Sequence, residues 1–379
     1  MTMSRAGQRR RRLAAERRKF MITAGGAAMG LGFLAETSPA FGQDGGGITQ
    51  GDAAILRFLA AAEIIETDLW IQYAELGGTQ DNQLPGLPTG GSAAYTAALA
   101  NLDADMPQYI HDNTRDELSH ELFLNAYLAS KGAEPVNLDQ FRTLPSSKAT
   151  GANQIGRLTN LTQLTVDTSW YTRYRDTMHN PDLDPGFQFP QAVPSLSMGQ
   201  FPAIPVTDAD LSPSGHIQAI ANTAAFHFAA IEQGGTSLYP TLAQKVTHLE
   251  ALRVVLSIGP TEAMHFQTWH DKAGNAVSDP LAPLTDPSNP RLTFPNLNVP
   301  PFGGPEFQTN LIMPAPCPFL SPQLPPCSIV RPTSDQEGGA VATANFLTNM
   351  GLFIGQPKEF FDLLMQLASE ADYAKRGGP

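Results

Sequence analysis

Two short motifs, Glu117-x-x-His120 and Glu262-x-x-His265, constrain this chain more than anything else in it. Residues three apart lie on one side of a helix, so each carboxylate points the same way as its imidazole. The first pair sits in DELSHELFLNAYL, where Leu118, Leu122, Leu124, Tyr127 and Leu128 give the segment a buried side as well. A single pair of this kind is common on a solvated helix face. Two of them on apolar-sided helices point to a fold that takes charge into its interior, where an unpaired carboxylate is costly.

Five segments carry helical periodicity with start and stop signals. The first spans 52–76, with Asp52 at its start and Gly77-Gly78 at its end. The second runs from about 112 to 130 and ends in Lys131-Gly132. The third, 214–239, is expected to loosen or break at Gly234-Gly235. In the fourth, 242–271, Gly259-Pro260 predicts a kink or a split. The fifth covers 340–375 with a break at Gln356-Pro357. Strand signals are sparse, so the expected class is an all-α four-helix bundle with a C-terminal helical segment. Long Pro- and Gly-rich connections span 77–101, 133–213 and 274–332. Structureless loops of such length are unusual, so the middle one is expected to hold a helix within 158–178.

The first helix offers Glu63 and Glu66, and the third a single acid, Glu232. The order along the chain is therefore Glu, Glu-x-x-His, a long crossover, Glu, Glu-x-x-His. Facing helices of a bundle that carry this order hold a carboxylate-bridged pair of metal ions. Four carboxylates and two neutral imidazoles nearly cancel the charge of two divalent ions, and hard oxygen donors with a few nitrogens suit iron or manganese. Asp116 or a backbone carbonyl is expected to orient a ligand histidine. His227 should turn away from Glu232, and His111, His179, His216, His248 and His270 are expected in loops or on outer faces. Trp70 and Tyr73 read as core, and Glu121 and Glu250 as surface carboxylates or neighbours of the ligands. There is no Gly-rich phosphate loop, nucleophile elbow or CxxC motif.

Four stretches, ILRFLAAAEIIETDLW, DELSHELFLNAYLASKGAEPVNLDQF, FAAIEQGGTSLY and LRVVLSIGPTEAMHFQTW, resemble the ferritin-like superfamily. Within it they resemble the branch of bacterial ferritin-like domain proteins and plant desiccation-related proteins. The resemblance covers roughly 52–142 and 214–272. It implies a ferritin-like bundle over 52–272 with an insertion at about 141–213, two iron or manganese ions, and the ligands Glu63, Glu117, His120, Glu232, Glu262 and His265. Glu63 matches the family's first-helix ligand because it lies seven residues before Trp70, and Glu66 matches a neighbouring or alternate ligand. Gly259-Pro260 departs from the pattern, since a continuous helix is expected there.

The start of the chain reads as a targeting segment. Arg17-Arg18 precede Phe20-Met21 and a Gly- and Ala-rich apolar stretch too short to span a bilayer, with a small-residue cleavage site at Ala40 or Gly42. The paired arginines predict a twin-arginine signal, 1–42, removed after passage through the twin-arginine translocase. The chain carries 24 Lys+Arg and 36 Asp+Glu, and residues 1–40 hold eight of the former and two of the latter. What remains is strongly acidic, which disfavours nucleic acid and anionic membranes as partners. In an oxidising compartment Cys317 and Cys327 are expected to bridge within the Pro-rich 273–379 region. The expected function is an exported dimetal oxidoreductase acting on a small oxidant, dioxygen or peroxide, in the periplasm or outside the cell. The alternative is a non-catalytic metal-binding or desiccation-protective protein.

Overall fold

Thr49 opens the first long helix. Its hydroxyl accepts from the Asp52 N–H at 3.0 Å while the Asp52 carboxylate accepts from the Thr49 N–H at 3.2 Å, a reciprocal capping box. The same carboxylate accepts from the backbone N–H groups of Thr247 and His248, which fastens this end of the helix to the turn before the last bundle helix. The computed structural model describes residues 47–79, 91–304, 307 and 316–378, so the expected export signal lies outside the described residues.

The described residues form ten α-helices and two small antiparallel sheets. Four helices are long: α1 (Gln50–Gly77), α3 (Met106–Ser130), α6 (Ser214–Ala243) and α7 (Leu249–Asn275), with the short α2 (Ala93–Ala100) before α3. Helix α1 packs on α3, and α6 on α7. The crossover from α3 to α6 contains α4 (Ser169–Arg173) and α5 (Pro194–Met198). After α7 come the pairs β1 (Leu284–Thr285) with β2 (Thr293–Phe294) and β3 (Pro316–Pro318) with β4 (Pro326–Ser328). Helices α8 (Asp335–Gly338), α9 (Ala340–Asn349) and α10 (Lys358–Tyr373) complete the chain. No helix among the described residues is long and apolar enough to cross a membrane.

Two expectations about breaks are corrected. Helix α6 runs unbroken through Gly234-Gly235 and past Pro240, and α7 runs unbroken through Gly259-Pro260. Two of these glycines serve close approach rather than termination. A Cβ at Gly259 would lie 2.7 Å from Cβ of Tyr239, so the glycine lets α7 settle against α6. A Cβ at Gly235 would collide with the Glu262 carboxylate. The fifth segment does break, over 350–357, between α9 and α10.

Helices α1 and α6 are buried almost all round, whereas α3 and α7 keep one face in solvent. Helix α10 accounts for part of this difference. It packs on α1 through a stripe of Phe360, Leu364, Leu367, Ala368 and Ala371 at helical spacing. The insertion is fastened to α1 by buried acids. Asp68 accepts from the N–H groups of Leu158 and Thr159 at 2.9 and 3.0 Å and pairs with Arg142, and Glu75 pairs with the fully buried Arg157. Removing one partner from such a buried pair costs about 3–5 kcal/mol, because the other charge is left alone. In the β3–β4 ladder Cys317 stands directly opposite Cys327. Opposed Cα atoms of an antiparallel pair lie roughly 4.5–5.5 Å apart, within the reach of a disulfide. The Cys317 side chain, and with it the expected bridge, lies outside the described residues.

Candidate metal centre

Helical spacing delivers the inward-facing donors. Glu63 comes from α1, Glu117 and His120 from α3, Glu232 from α6, and Glu262 and His265 from α7. The four carboxylates are at most 1 % exposed. Their donor atoms form two overlapping groups: Glu63, Glu117, His120 and Glu262, and then Glu117, Glu232, Glu262 and His265, each with all atoms within 4.8 Å of one another. Glu117 and Glu262 belong to both. The arrangement is thus two adjacent donor groups that could hold metal, joined by two shared carboxylates, each with one further carboxylate and one imidazole.

Both imidazoles face the cluster through Nδ1. In His120 this atom lies 3.1 Å from Glu117 Oε2, 3.4 Å from Glu63 Oε2 and 3.4 Å from Glu262 Oε1. In His265 it lies 3.0 Å from Glu117 Oε1 and 3.3 Å from Glu232 Oε2. The outward Nε2 atoms are held by different partners. The Thr261 hydroxyl donates to the Ile258 carbonyl at 2.6 Å, so at 3.3 Å it accepts from Nε2 of His120. Nε2 of His265 donates to Asp116 Oδ2 at 3.2 Å. A proton fixed on Nε2 leaves Nδ1 as the atom available to a metal.

Three further residues complete the frame, of which the sequence reading passed over Asn113 and Tyr239 and took Gly235 for a helix breaker. Asn113 Nδ2 donates to Glu117 Oε1 at 2.8 Å and to Glu232 Oε1 at 2.9 Å, and its Oδ1 accepts from the Trp269 indole at 2.8 Å. Tyr239 donates its hydroxyl to Glu63 Oε1. Gly235 leaves the space that the Glu262 carboxylate fills. Asn113 lies one turn before Glu117 on the same face and Tyr239 two turns after Glu232, so helical spacing could have pointed to both. Glu66 is buried beside the cluster but belongs to neither donor group. His227 is fully buried with Nδ1 2.7 Å from the Tyr73 hydroxyl. His111 and His270 are buried in α3 and α7, which corrects their expected placement in loops or on outer faces.

The electrostatics are those of donors that expect cations. Burial, partly offset by His120, raises the Glu63 carboxyl to about 7. Burial and the neighbouring carboxylates raise Glu262 and Glu66 well above the usual range, and burial also raises Glu232. Burial acts to raise Glu117 as well, but hydrogen bonding and charge from His120 and His265 outweigh it and hold it low. Burial disfavours a charged imidazole, yet Glu117 and Glu63 lift His120 to about 11, and Glu232, Asp116 and Glu117 lift His265 well above its ordinary value. Protons therefore do part of the work of positive ions here. They do it incompletely: Glu262 Oε2 is buried without a hydrogen-bond partner, and Glu63 Oε2, Glu232 Oε2, Glu262 Oε1 and Nδ1 of His265 are buried with ion-pair contacts of 3.0–3.4 Å but no well-aligned hydrogen bond. Buried polar atoms are rarely left so, and two divalent cations would satisfy all five.

The family model described as "Ferritin-like domain" matches residues 51–274, more than half of the chain. No curated protein and no solved structure matches it. The chain belongs to the ferritin-like domain family.

Proposed function

We propose that this ferritin-like protein holds two iron or manganese ions and uses them in redox chemistry with dioxygen or peroxide. The observation that carries the reading is the pair of donor groups sharing Glu117 and Glu262, with five inward atoms that no well-aligned hydrogen bond satisfies. Glu63 and His120 would hold one ion, Glu232 and His265 the other, and Glu117 and Glu262 both. When bound, such a pair supplies electrons to an oxidant and Lewis acidity at its oxygen atoms. The chain's own residues set the conditions. Tyr239 and Asn113 restrain the two end carboxylates, Glu63 and Glu232, through one oxygen each and leave the other for a metal. Asp116 is 52 % exposed while the His265 side chain it holds is 11 % exposed, so the cluster meets solvent between α3 and α7. A small oxidant and protons would approach there. The α1 and α6 sides are buried in the core.

Export by the twin-arginine route is part of the proposal. Arg17-Arg18 ahead of a short apolar stretch support it, and that route passes folded proteins, so ions could be loaded before export. The test is metal analysis of protein exported in native form, followed by peroxide-decay and oxygen-consumption assays. Two equivalents of metal with turnover support the reading. Stoichiometric metal without turnover favours storage or a structural metal, and a metal-free chain refutes both the enzyme and the metal store and leaves the stress-protective role.

A further inference from the structure

Away from the four long helices, the crossover and the C-terminal segment line a cavity of about 240 Å³. Its walls include Arg173 at the end of α4, Asp167 just before that helix, Glu337 of α8, and the rings of Phe187 and Phe189. Hydrogen bonds hold these walls in place. Asp182 accepts from the backbone N–H groups of Thr333 and Ser334, which fastens the start of α8 to the crossover. Asp167 Oδ1 accepts from the Ser169 N–H at 2.9 Å and from Gln191 Nε2 at 2.7 Å. Phe189 stands edge-on to Phe187, with centroids 4.9 Å apart and planes at 79°, and the His179 ring stacks on Phe187 at 3.7 Å.

Two other arginines of the crossover, Arg142 and Arg157, are paired with acids of α1. Arg173 is not. Its Nε is buried without a hydrogen-bond partner, and Asp167 and Glu337 act on it only from beyond ion-pair contact. A second guanidinium adds to the positive charge here. Arg173 and the fully buried Arg331 both lie against the Tyr174 ring, at 5.8 and 5.6 Å from its centroid. Arg331 Nη1 donates to the His179 carbonyl at 3.2 Å, but its Nε and Nη2 are buried without partners. Burial lowers the Arg173 guanidinium from its ordinary value and raises the Glu337 carboxyl, against the pull of Arg173. Unmatched polar groups of this kind cost stability, so packing alone does not explain their choice.

We propose that this cavity binds a small zwitterion, a molecule with one carboxylate and one ammonium group, of the amino-acid or betaine class. The carboxylate meets the Arg173 guanidinium, whose fork matches its two oxygens. The ammonium group lies toward Asp167 and Glu337 and against the corner made by Phe187 and Phe189, since aromatic faces attract cations. A plain anion would leave the two acids unmatched, and a plain cation would leave the guanidinium unmatched. A molecule carrying both charges answers both. The site is built from the crossover and the C-terminal segment, and it does not rest on the two-metal reading.

The test is isothermal titration calorimetry of the full chain with L-alanine and with glycine betaine, beside acetate, choline and glucose. At least one zwitterion should bind about tenfold more tightly than any of the other three. Tighter binding of glycine betaine identifies the aromatic corner as the ammonium site, and tighter binding of L-alanine identifies the two acids; both support the proposal. Arg173→Leu should abolish the binding. Arg173→Lys keeps the charge without the fork and should weaken it about tenfold. Glu337→Gln, at an exposed position, should weaken it with the melting temperature near wild type. No binding of either zwitterion at millimolar concentration, equal or tighter binding of acetate, choline or glucose, or unchanged affinity in Arg173→Lys and Glu337→Gln overturns the proposal.

Discussion

The half of the centre built by α1 and α3 and the half built by α6 and α7 carry the same donors in different settings. Each has one end carboxylate and one imidazole, and each shares Glu117 and Glu262 with the other. In the first, Glu63 accepts from a phenol, Tyr239, and His120 donates to a neutral hydroxyl, Thr261. In the second, Glu232 accepts from an amide, Asn113, and His265 donates to a carboxylate, Asp116. A carboxylate behind an imidazole makes it the better donor. The bundle thus repeats the donors while the neighbours distinguish the two donor groups. Substitutions can separate what is shared from what is particular.

The largest effect belongs to the shared carboxylates. Glu117→Ala or Glu262→Gln should lose both ions, whereas Glu63→Gln or Glu232→Gln should lose one, as read by metal content per chain. Glu262→Gln carries a second expectation with the opposite sign. Its carboxyl is raised well above the usual range by burial and by its acidic neighbours, so the metal-free variant should melt at a higher temperature than the metal-free wild type.

The next effect is pH dependence of the metal-free chain. Glu63 is raised from 4.5 to about 7, so between those values the folded form holds the extra proton and stability falls as pH rises. His120 is raised from 6.5 to about 11, so the stability it contributes is complete below 6.5 and is lost as pH rises toward 11. Both slopes run downward with increasing pH. Bound ions replace these protons, so melting temperatures measured across this window should decline for the metal-free protein and flatten or reverse for the loaded one.

Asp116→Asn against Thr261→Val sharpens the comparison directly. Loss of the carboxylate behind His265 should weaken one of the two binding steps by about 10–100-fold, with a smaller effect for the hydroxyl behind His120, both measured by metal titration. The smallest effect lies outside the centre. Cys317 and Cys327 are register partners in the β3–β4 ladder, and a bridge there would contribute about 2–3 kcal/mol, lost in Cys327→Ser and seen as a lower melting temperature under oxidising conditions.

The parts of this centre that the sequence made legible are those written in helical spacing. The two Glu-x-x-His pairs, Glu63 on α1 and the single acid Glu232 on α6 need only a period to be recognised. Gly234-Gly235 and Gly259-Pro260 misled for a physical reason. Local propensity treats them as terminators, while tertiary packing uses Gly235 and Gly259 for closeness to Glu262 and Tyr239. Thr261 gave no signal, because what it does depends on His120 from another helix. The anchoring of the insertion was equally hidden, since Asp68 and Glu75 meet Arg142 and Arg157 only after the crossover has folded back on α1.

Anomalous diffraction from crystals soaked in manganese(II) tests the central claim most directly. Two peaks should appear inside the bundle, both in contact with Glu117 and Glu262, one beside Nδ1 of His120 and the other beside Nδ1 of His265. A single peak, or peaks only on the acidic surface with these six side chains unmoved, would contradict it.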